Sequence, residues 1–282
     1  MQTWGEIIRA QRPLIMGVLN VTPDSFSDGG LYFEPQKAIA HAKLLEAAGA
    51  DIIDIGGESS RPFSDPIPIE EEMRRVVPVI QAVAPELKVP ISIDTYKAKV
   101  AEEAIKAGAC IVNDISALRF DKDMAKVVAD YKVPVVLMHM KGTPKDMQLN
   151  PTYKDVLKEI YAFLEERIEF ALKNGISEEQ ISIDPGIGFG KRLEDNLRII
   201  KNLSFFKKLN KPLLLGPSRK TFIGQILGIE VPAKRDIGTL AVVAFATLAG
   251  VDIIRVHAVK EAKEVITVIK AIVKADLDKG MS

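Results

Sequence analysis

Cysteine, histidine and tryptophan are scarce in this chain: 282 residues hold one Cys, three His and one Trp. The lone Cys110 excludes an internal disulfide and any zinc centre built on paired cysteines, and it fits a reducing, cytoplasmic compartment. His41, His139 and His257 lie far apart and no HExxH pattern occurs, which excludes a zinc-protease helix. Charge of one sign is also lacking, since 38 Lys and Arg balance 38 Asp and Glu. A protein that grips nucleic acid through its phosphates carries a basic excess, so no nucleic-acid partner is expected. Long hydrophobic runs are missing too. The most apolar stretch, Ile237–Val251, is fenced by Asp236 and Asp252 and falls short of the roughly 20 residues that cross a bilayer. It reads as a buried helix, and no membrane partner is expected. Met1–Pro13 carries Glu6, Arg9 and Arg12 and has no apolar core of signal-peptide length. Asn and Gln are few, 7 of each, a weak compositional sign of thermostability.

What is present is an alternation repeated eight times. The strand-like runs are Leu14–Leu19, Ile52–Ile55, Ile91–Ile93, Cys110–Val112, Val133–Met138, Ile181–Ile183, Leu213–Leu215 and Asp252–Val256. Their near-continuous apolar character implies burial on both faces, hence a parallel sheet. Segments of helical period lie between them, such as Val156, Ile160, Phe163, Leu164, Ile168 and Ala171. Glycines at 49, 108 and 250 stand where a helix stops before the next strand. Eight β-then-α units in a chain of this length match a (β/α)8 TIM barrel, an α/β fold. An open doubly wound sheet is the alternative, but no glycine fingerprint follows the first strand. No linker, low-complexity tract or composition shift divides residues 1–282, so one domain is expected.

Barrel active sites sit on the loops after the strands. Every one of the eight ends here is polar: Asn20 to Gly30, Gly56 to Pro62, Asp94-Thr95, Asn113-Asp114, His139 to Gly142, Asp184 to Lys191, Gly216 to Thr221, and Arg255-Val256-His257. One or two polar ends would only terminate strands, but eight on one rim imply a site. Asp184 to Lys191 superficially suggests a phosphate loop, yet Pro185 and Arg192 occupy the positions where a Walker A motif needs Gly and Ser or Thr. His41 reads as a surface or packing residue within a helix, and Cys110 as a structural residue opening a buried strand. His139 and His257, at strand ends, are the better candidates for a role. Arg61, Lys191, Arg219, Lys220 and Arg255 would make the rim locally cationic.

The loop Gly17-Val18-Leu19-Asn20-Val21-Thr22-Pro23-Asp24-Ser25-Phe26-Ser27-Asp28-Gly29-Gly30 and the stretch Ala48 to Pro62 resemble the first and second signatures of the dihydropteroate synthases of folate biosynthesis. Asp184–Lys191, Ser218-Arg219-Lys220 and Arg255-Val256-His257 follow in the family's order, and the resemblance covers essentially the whole chain. It implies a single pterin-binding barrel domain and a transferase reaction. 4-Aminobenzoate displaces diphosphate from 6-hydroxymethyl-7,8-dihydropterin diphosphate, giving 7,8-dihydropteroate. It also implies a homodimer and inhibition by sulfonamides.

By the same resemblance Asp94, Asn113, Asp184 and Lys220 hold the pterin, with Met138 and Phe189 against its ring. The residue types suit this: a carboxylate accepts paired N–H groups, while a carboxamide both donates and accepts. Asn20, Arg255 and His257 take the diphosphate, and Asn20 also ligates Mg2+, an ion that keeps several waters and needs few protein ligands. Phe26, Ser60, Arg61, Pro62 and Thr221 bind 4-aminobenzoate, whose carboxylate meets the N–H groups of the helix opening near Thr221. Asp28, Arg61 and Lys220 are the catalytic residues. Asp28 and Arg61 order the loops over a cationic centre formed as diphosphate leaves.

Four positions depart from the family pattern: Ser60 for Thr, Phe63 for Gly, Thr221 for Ser, and Ala258 for an acidic residue. Two other readings remain open from sequence. One is a pterin-binding methyltransferase barrel of the corrinoid-linked type. The other is a relative that binds pterin without synthase activity, for which Phe63 and Ala258 are the motive.

Overall fold

The computed structural model describes residues 4–10, 12–22 and 35–275. Phe26 and Asp28, expected in the site, lie outside the described residues. Eight parallel strands carry the fold: β1 (Leu14–Asn20), β2 (Ile52–Gly56), β3 (Ile91–Asp94), β4 (Ile111–Asp114), β5 (Val135–Met138), β6 (Ile181–Asp184), β7 (Leu214–Leu215) and β8 (Ile253–Val256). Their order, β6-β5-β4-β3-β2-β1-β8-β7, is cyclic, and a bridge between Ile183 and Leu213 joins its two ends. The sheet is therefore the expected (β/α)8 barrel and not an open doubly wound sheet.

Helices α2 (Pro35–Ala47), α3 (Ile69–Val83), α4 (Ala98–Ala107), α5 (Met124–Tyr131), α6 (Val156–Lys173), α7 (Leu193–Lys201), α8 (Leu203–Phe206), α9 (Thr221–Leu227), α10 (Asp236–Leu248) and α11 (Val259–Lys274) follow the strands. The α4 helix shows how they end. Gly108 takes φ +123°, and a Cβ there would lie 2.5 Å from that of Ala84, so only glycine fits.

Side chains alternate along each strand between the helices and the barrel interior. Ile15, Leu19, Ile53, Ile55, Ile93 and Val112 pack outward against the helices in the larger core. Leu14, Met16, Ile52, Ile111, Val136, Leu214 and Ile253 point inward and meet Trp4 and Ile8. Each fully buried Ile or Met contributes about 1.5–3 kcal/mol relative to its exposed state. Trp4 and Ile8 belong to a short helix, α1 (Trp4–Ala10), that covers the N-terminal end of the barrel, where Trp4 Nε1 donates to Ser182 Oγ at 2.9 Å. Two residues further along the inner faces from Ile52, Ser92, Ile111 and Ile253 stand Asp54, Asp94, Asn113 and Arg255.

Two expectations are corrected here. Cys110 does not open a buried strand; β4 begins at Ile111, and Cys110 is exposed in the connection before it. The apolar run from 237 to 251 is not a buried helix. In α10 only Thr239, Val243 and Ala246 are buried, while Ile237 is 83% exposed and Phe245 and Leu248 are also exposed. The run is uniformly apolar, so composition conceals that one face of this helix points away from the barrel.

Candidate active site

The interior turns ionic at its middle. Asp54, near the centre of β2, is fully buried, and its Oδ2 accepts from Arg255 Nε at 2.6 Å and Asn113 Nδ2 at 3.1 Å. Arg255 also donates through an Nη to Asp94 Oδ2 at 2.7 Å. Burial opposes the charge of Arg255, but Asp54 and Asp94 outweigh it and raise its pKa above the ordinary value. Burial pushes Asp94 up to about 7; Arg255 opposes that rise, while Asp54 and Glu72 add to it.

Across the mouth, burial raises Asp184 to about 6, although its Oδ1 accepts the Gly186 N–H at 2.7 Å and Lys220, Lys191 and Arg255 favour its charge. Lys220, just before α9, stands with its Nζ 3.9 Å from the Phe189 ring centroid. Burial and the nearby Arg255 lower it to about 8, against the pull of Asp184 and Asp94. Met138 and Phe189 share a small apolar cluster with Ile115, Met140 and Met147. Asp94, Asn113, Asp184, Lys220, Met138, Phe189 and Arg255 thus meet at one end of the barrel.

Asn20 and His257 come from the neighbouring edges of β1 and β8, with Asn20 Nδ2 3.4 Å from His257 Nε2. Ser218 Oγ lies 2.8 Å from His257 Nδ1 and accepts the His257 backbone N–H at 3.1 Å. The tautomer carrying its proton on Nδ1 satisfies both ring contacts. Burial, then Arg219 and Arg255, lower this imidazole to about 3, so at neutral pH His257 is an uncharged partner, not a cation. Among the described residues no group of three or more His, Cys, Asp or Glu could hold a metal. Asn20 fits Mg2+ only in the manner of an ion held largely by water and phosphate: its Oδ1 remains an acceptor while Nδ2 faces His257.

The loop after β2 is firmly anchored. Glu58 accepts from Lys97 Nζ at 2.6 Å, the Ile67 N–H at 2.9 Å and the Tyr96 hydroxyl at 2.5 Å, and Arg75 donates to Gly57 O at 2.9 Å. Ser64 Oγ donates to the carbonyls of Ser59 and Arg61. Ser60 is half-buried and Arg61 is exposed. Pro62 and Thr221 both line a cavity of about 640 Å³, whose wall also includes Phe63, Gly188 and Phe222. Ser60 and Arg61 are not on that wall.

Three rim residues read from sequence as candidates have other duties. Lys191 is buried, donating to Gly186 O at 2.7 Å and Phe189 O at 2.9 Å, with His139 Nδ1 3.0 Å away; it staples the loop after β6. Arg219 forms a two-pronged pair with Asp236, both bonds 2.8 Å. His139 is buried edge-on against Phe163, and burial, then Lys191, hold its pKa well below the ordinary value. Of the five rim cations expected from sequence, Lys220 and Arg255 stand among the pterin candidates, Arg255 paired with Asp54 and Asp94, while Arg61 is exposed on the loop after β2. Sequence reasoning missed Asp54, Ser218 and the Glu58–Lys97 pair. The signal for Asp54 was a carboxylate inside an otherwise apolar strand, Ile52-Ile53-Asp54-Ile55.

Residues 16–257 match the family model described as pterin binding enzyme. The dihydropteroate synthase of Escherichia coli (strain K12) is 44% identical over 275 residues, 98% of this chain and 97% of that protein. The chain belongs to the dihydropteroate synthase family. Among solved structures, Xanthomonas albilineans dihydropteroate synthase with 4-aminobenzoic acid has a TM-score of 0.88 and 44% identity, each chain covered to 93%. The Yersinia pestis dihydropteroate synthase in a sulfonamide drug complex also gives 0.88 at 44% identity, covering 94% of this chain and 95% of that one. Members of this family thus share the barrel whose mouth is described above.

Proposed function

We propose that this chain condenses 6-hydroxymethyl-7,8-dihydropterin diphosphate with 4-aminobenzoate, releasing diphosphate and 7,8-dihydropteroate. The observation that carries the reading is the convergence of Asp94 and Asp184, carboxylates that accept paired N–H bonds, and Asn113, an amide that both donates and accepts, with the Lys220 ammonium at one barrel mouth. A pterin edge offers the complementary set of donors and acceptors. Met138 and Phe189 cover its faces. Arg255 and the neutral His257, beside Asn20, receive the departing diphosphate. Mg2+, where bound at Asn20, supplies charge neutralisation for that leaving group.

As the C–O bond to diphosphate breaks, the pterin ring feeds electron density to the methylene carbon, the neutral amine of 4-aminobenzoate forms the new C–N bond with its lone pair, and the nitrogen then gives up a proton to water or to the departing diphosphate. No strong base is required. Positioning and charge stabilisation supply the rate. Pro62 and Thr221 line the arylamine cavity. Ser60 and Arg61, on the anchored loop, and Phe26 and Asp28, from the loop after β1, complete the proposed set. The α9 helix has seven residues, so Thr221 is assigned a side-chain contact and not a strong helix dipole. A second copy of the chain is proposed to cover exposed apolar side chains of α9 to α11, Ile226, Leu227, Ile237, Leu248, Val268 and Ile272. Sedimentation would read the dimer. The single cysteine suits the cytoplasm, the location proposed for the enzyme.

The deciding experiment is release of diphosphate that requires both substrates together. Pterin binding by calorimetry without any release would leave the non-catalytic pterin binder or the methyltransferase in its place.

A further inference from the structure

The barrel interior is ordinarily filled by branched aliphatic side chains in layers drawn from alternate strands. Here one such layer holds a carboxylate. Asp54 on β2, Asn113 on β4 and Arg255 on β8 are each separated by an intervening strand, β3 or β1. Their bonds therefore run as chords across the interior instead of along neighbouring strands. Both chords end on the same oxygen, Asp54 Oδ2, while Oδ1 has no partner among the described residues.

From this geometry we infer that Asp54 is a positioning residue of the pterin site, fixing the Arg255 guanidinium and the Asn113 carboxamide in the orientation the substrate needs. The inference rests on the proposed function and deepens it. Asp54 is 0% exposed and lies beneath the groups that would meet substrate, so it acts through them. It engages Nε, the innermost donor of Arg255, and so turns the Nη groups towards the mouth. One Nη now bonds Asp94, a residue proposed to bind the pterin edge. When pterin takes Asp94, Arg255 loses that partner and Asp54 alone keeps the fork in place. Asn113 gains a similar constraint: an amide that gives one N–H to Asp54 has its acceptor directed away from that bond.

A purely structural carboxylate would also be paired and buried, so the test must separate stability from function. Asp54→Asn keeps an acceptor and loses the charge; Asp54→Ala loses both. For Asp54→Asn we expect kcat to fall about tenfold to 100-fold, and further for Asp54→Ala, with KM for 4-aminobenzoate changed by less than about twofold. The groups facing Asp94 are Arg255, Asp54, Glu72 and Lys220. Removing the Asp54 charge should therefore move the acid midpoint of pterin binding, read with a diphosphate-free pterin, to lower pH by about half a unit or more. A variant with a lowered melting temperature but unchanged kcat and an unchanged binding midpoint would overturn the inference.

Should both Asp54 variants fail to fold, Arg255→Lys decides. It retains the charge but lacks the fork that Asp54 grips, so its kcat should drop to within about fivefold of Arg255→Ala. A lysine variant near wild-type rate would refute the role. If wild type itself releases no diphosphate, the proposed reaction falls, and the midpoint of pterin binding still tests Asp54.

Discussion

Lys97 and Glu72 form a buried ion pair at 2.6 Å, and the same ammonium reaches Glu58 at an equal distance. Burial raises the pKa of Glu72 despite its bond to Lys97, and the neighbouring Glu58 charge adds a smaller push in the same direction. Glu72 lies on α3 and Glu58 on the loop carrying Ser60, Arg61 and Pro62, so Lys97 ties the loop to the barrel wall. Replacing Lys97 by Met leaves two buried carboxylates without their cation, and should cost about 3–5 kcal/mol. Urea unfolding would read the loss. In the fraction that folds, KM for 4-aminobenzoate should rise more than KM for the pterin substrate.

Asp184→Asn should stabilise the empty protein and impair ligand binding. The folded-state pKa of Asp184, about 6, lies above its ordinary value, so its contribution to stability is complete below about pH 4 and is lost as pH rises through 6. At pH 8 the ionised carboxylate costs the fold about 1–3 kcal/mol, which the amide avoids while still accepting from Gly186. Thermal melts at pH 8 and pH 5 should show a gain at the higher pH that shrinks at the lower. A drop in melting temperature at pH 8 would contradict the burial argument.

Binding of a diphosphate-free pterin should be strongest between pH 7 and 8, a window set by Asp184 at about 6, Asp94 at about 7 and Lys220 at about 8. Below it the carboxylates acquire protons and lose acceptor strength. Above it Lys220 loses its charge. Calorimetric titration across pH 5 to 9 measures both limbs, and a flat profile would remove these residues from the site.

Lys220→Ala should leave the fold intact, abolish the alkaline limb, and reduce turnover by about 100-fold or more. Circular dichroism confirms folding, and the diphosphate-release assay measures the rate. An unchanged rate would sink the assignment, as it would for Arg255→Ala.

Phe63 adopts φ +67°, a left-handed conformation uncomfortable for a bulky residue, and its ring is 62% exposed on the cavity wall. Phe63→Gly removes strain worth about 1 kcal/mol, partly offset by added freedom in the unfolded chain. The melting temperature should therefore hold or rise slightly. Inhibition by sulfonamides with large substituents should strengthen once the ring no longer narrows the opening; unchanged inhibition would show that the ring lies outside their path.

The barrel was legible because parallel strands buried on both faces leave apolar runs that need no partner to be recognised. The polar strand ends were legible for a related reason: a rim collects what eight separate positions contribute. The partners were not legible. Lys191 and Arg219 read as free cations because nothing local shows that Lys191 is held by carbonyls of its own loop or that Arg219 meets Asp236. The α1 helix escaped notice because seven residues with charges at Glu6 and Arg9 carry too little periodicity. Asp54 hid for the opposite reason. An acidic residue within an isoleucine strand can be interpreted only when the strands two places away on either side are known.

The α1 helix, with Trp4 and Ile8 seated against the inward residues, caps an apolar floor that already fills the barrel at that end. Substrates and products must therefore share a single doorway. In the proposed arrangement pterin lies deeper than the arylamine, so it should enter first. On the proposed function, an ordered sequence of binding would thus follow from a packed floor at the far side of the molecule, remote from every group proposed to touch substrate.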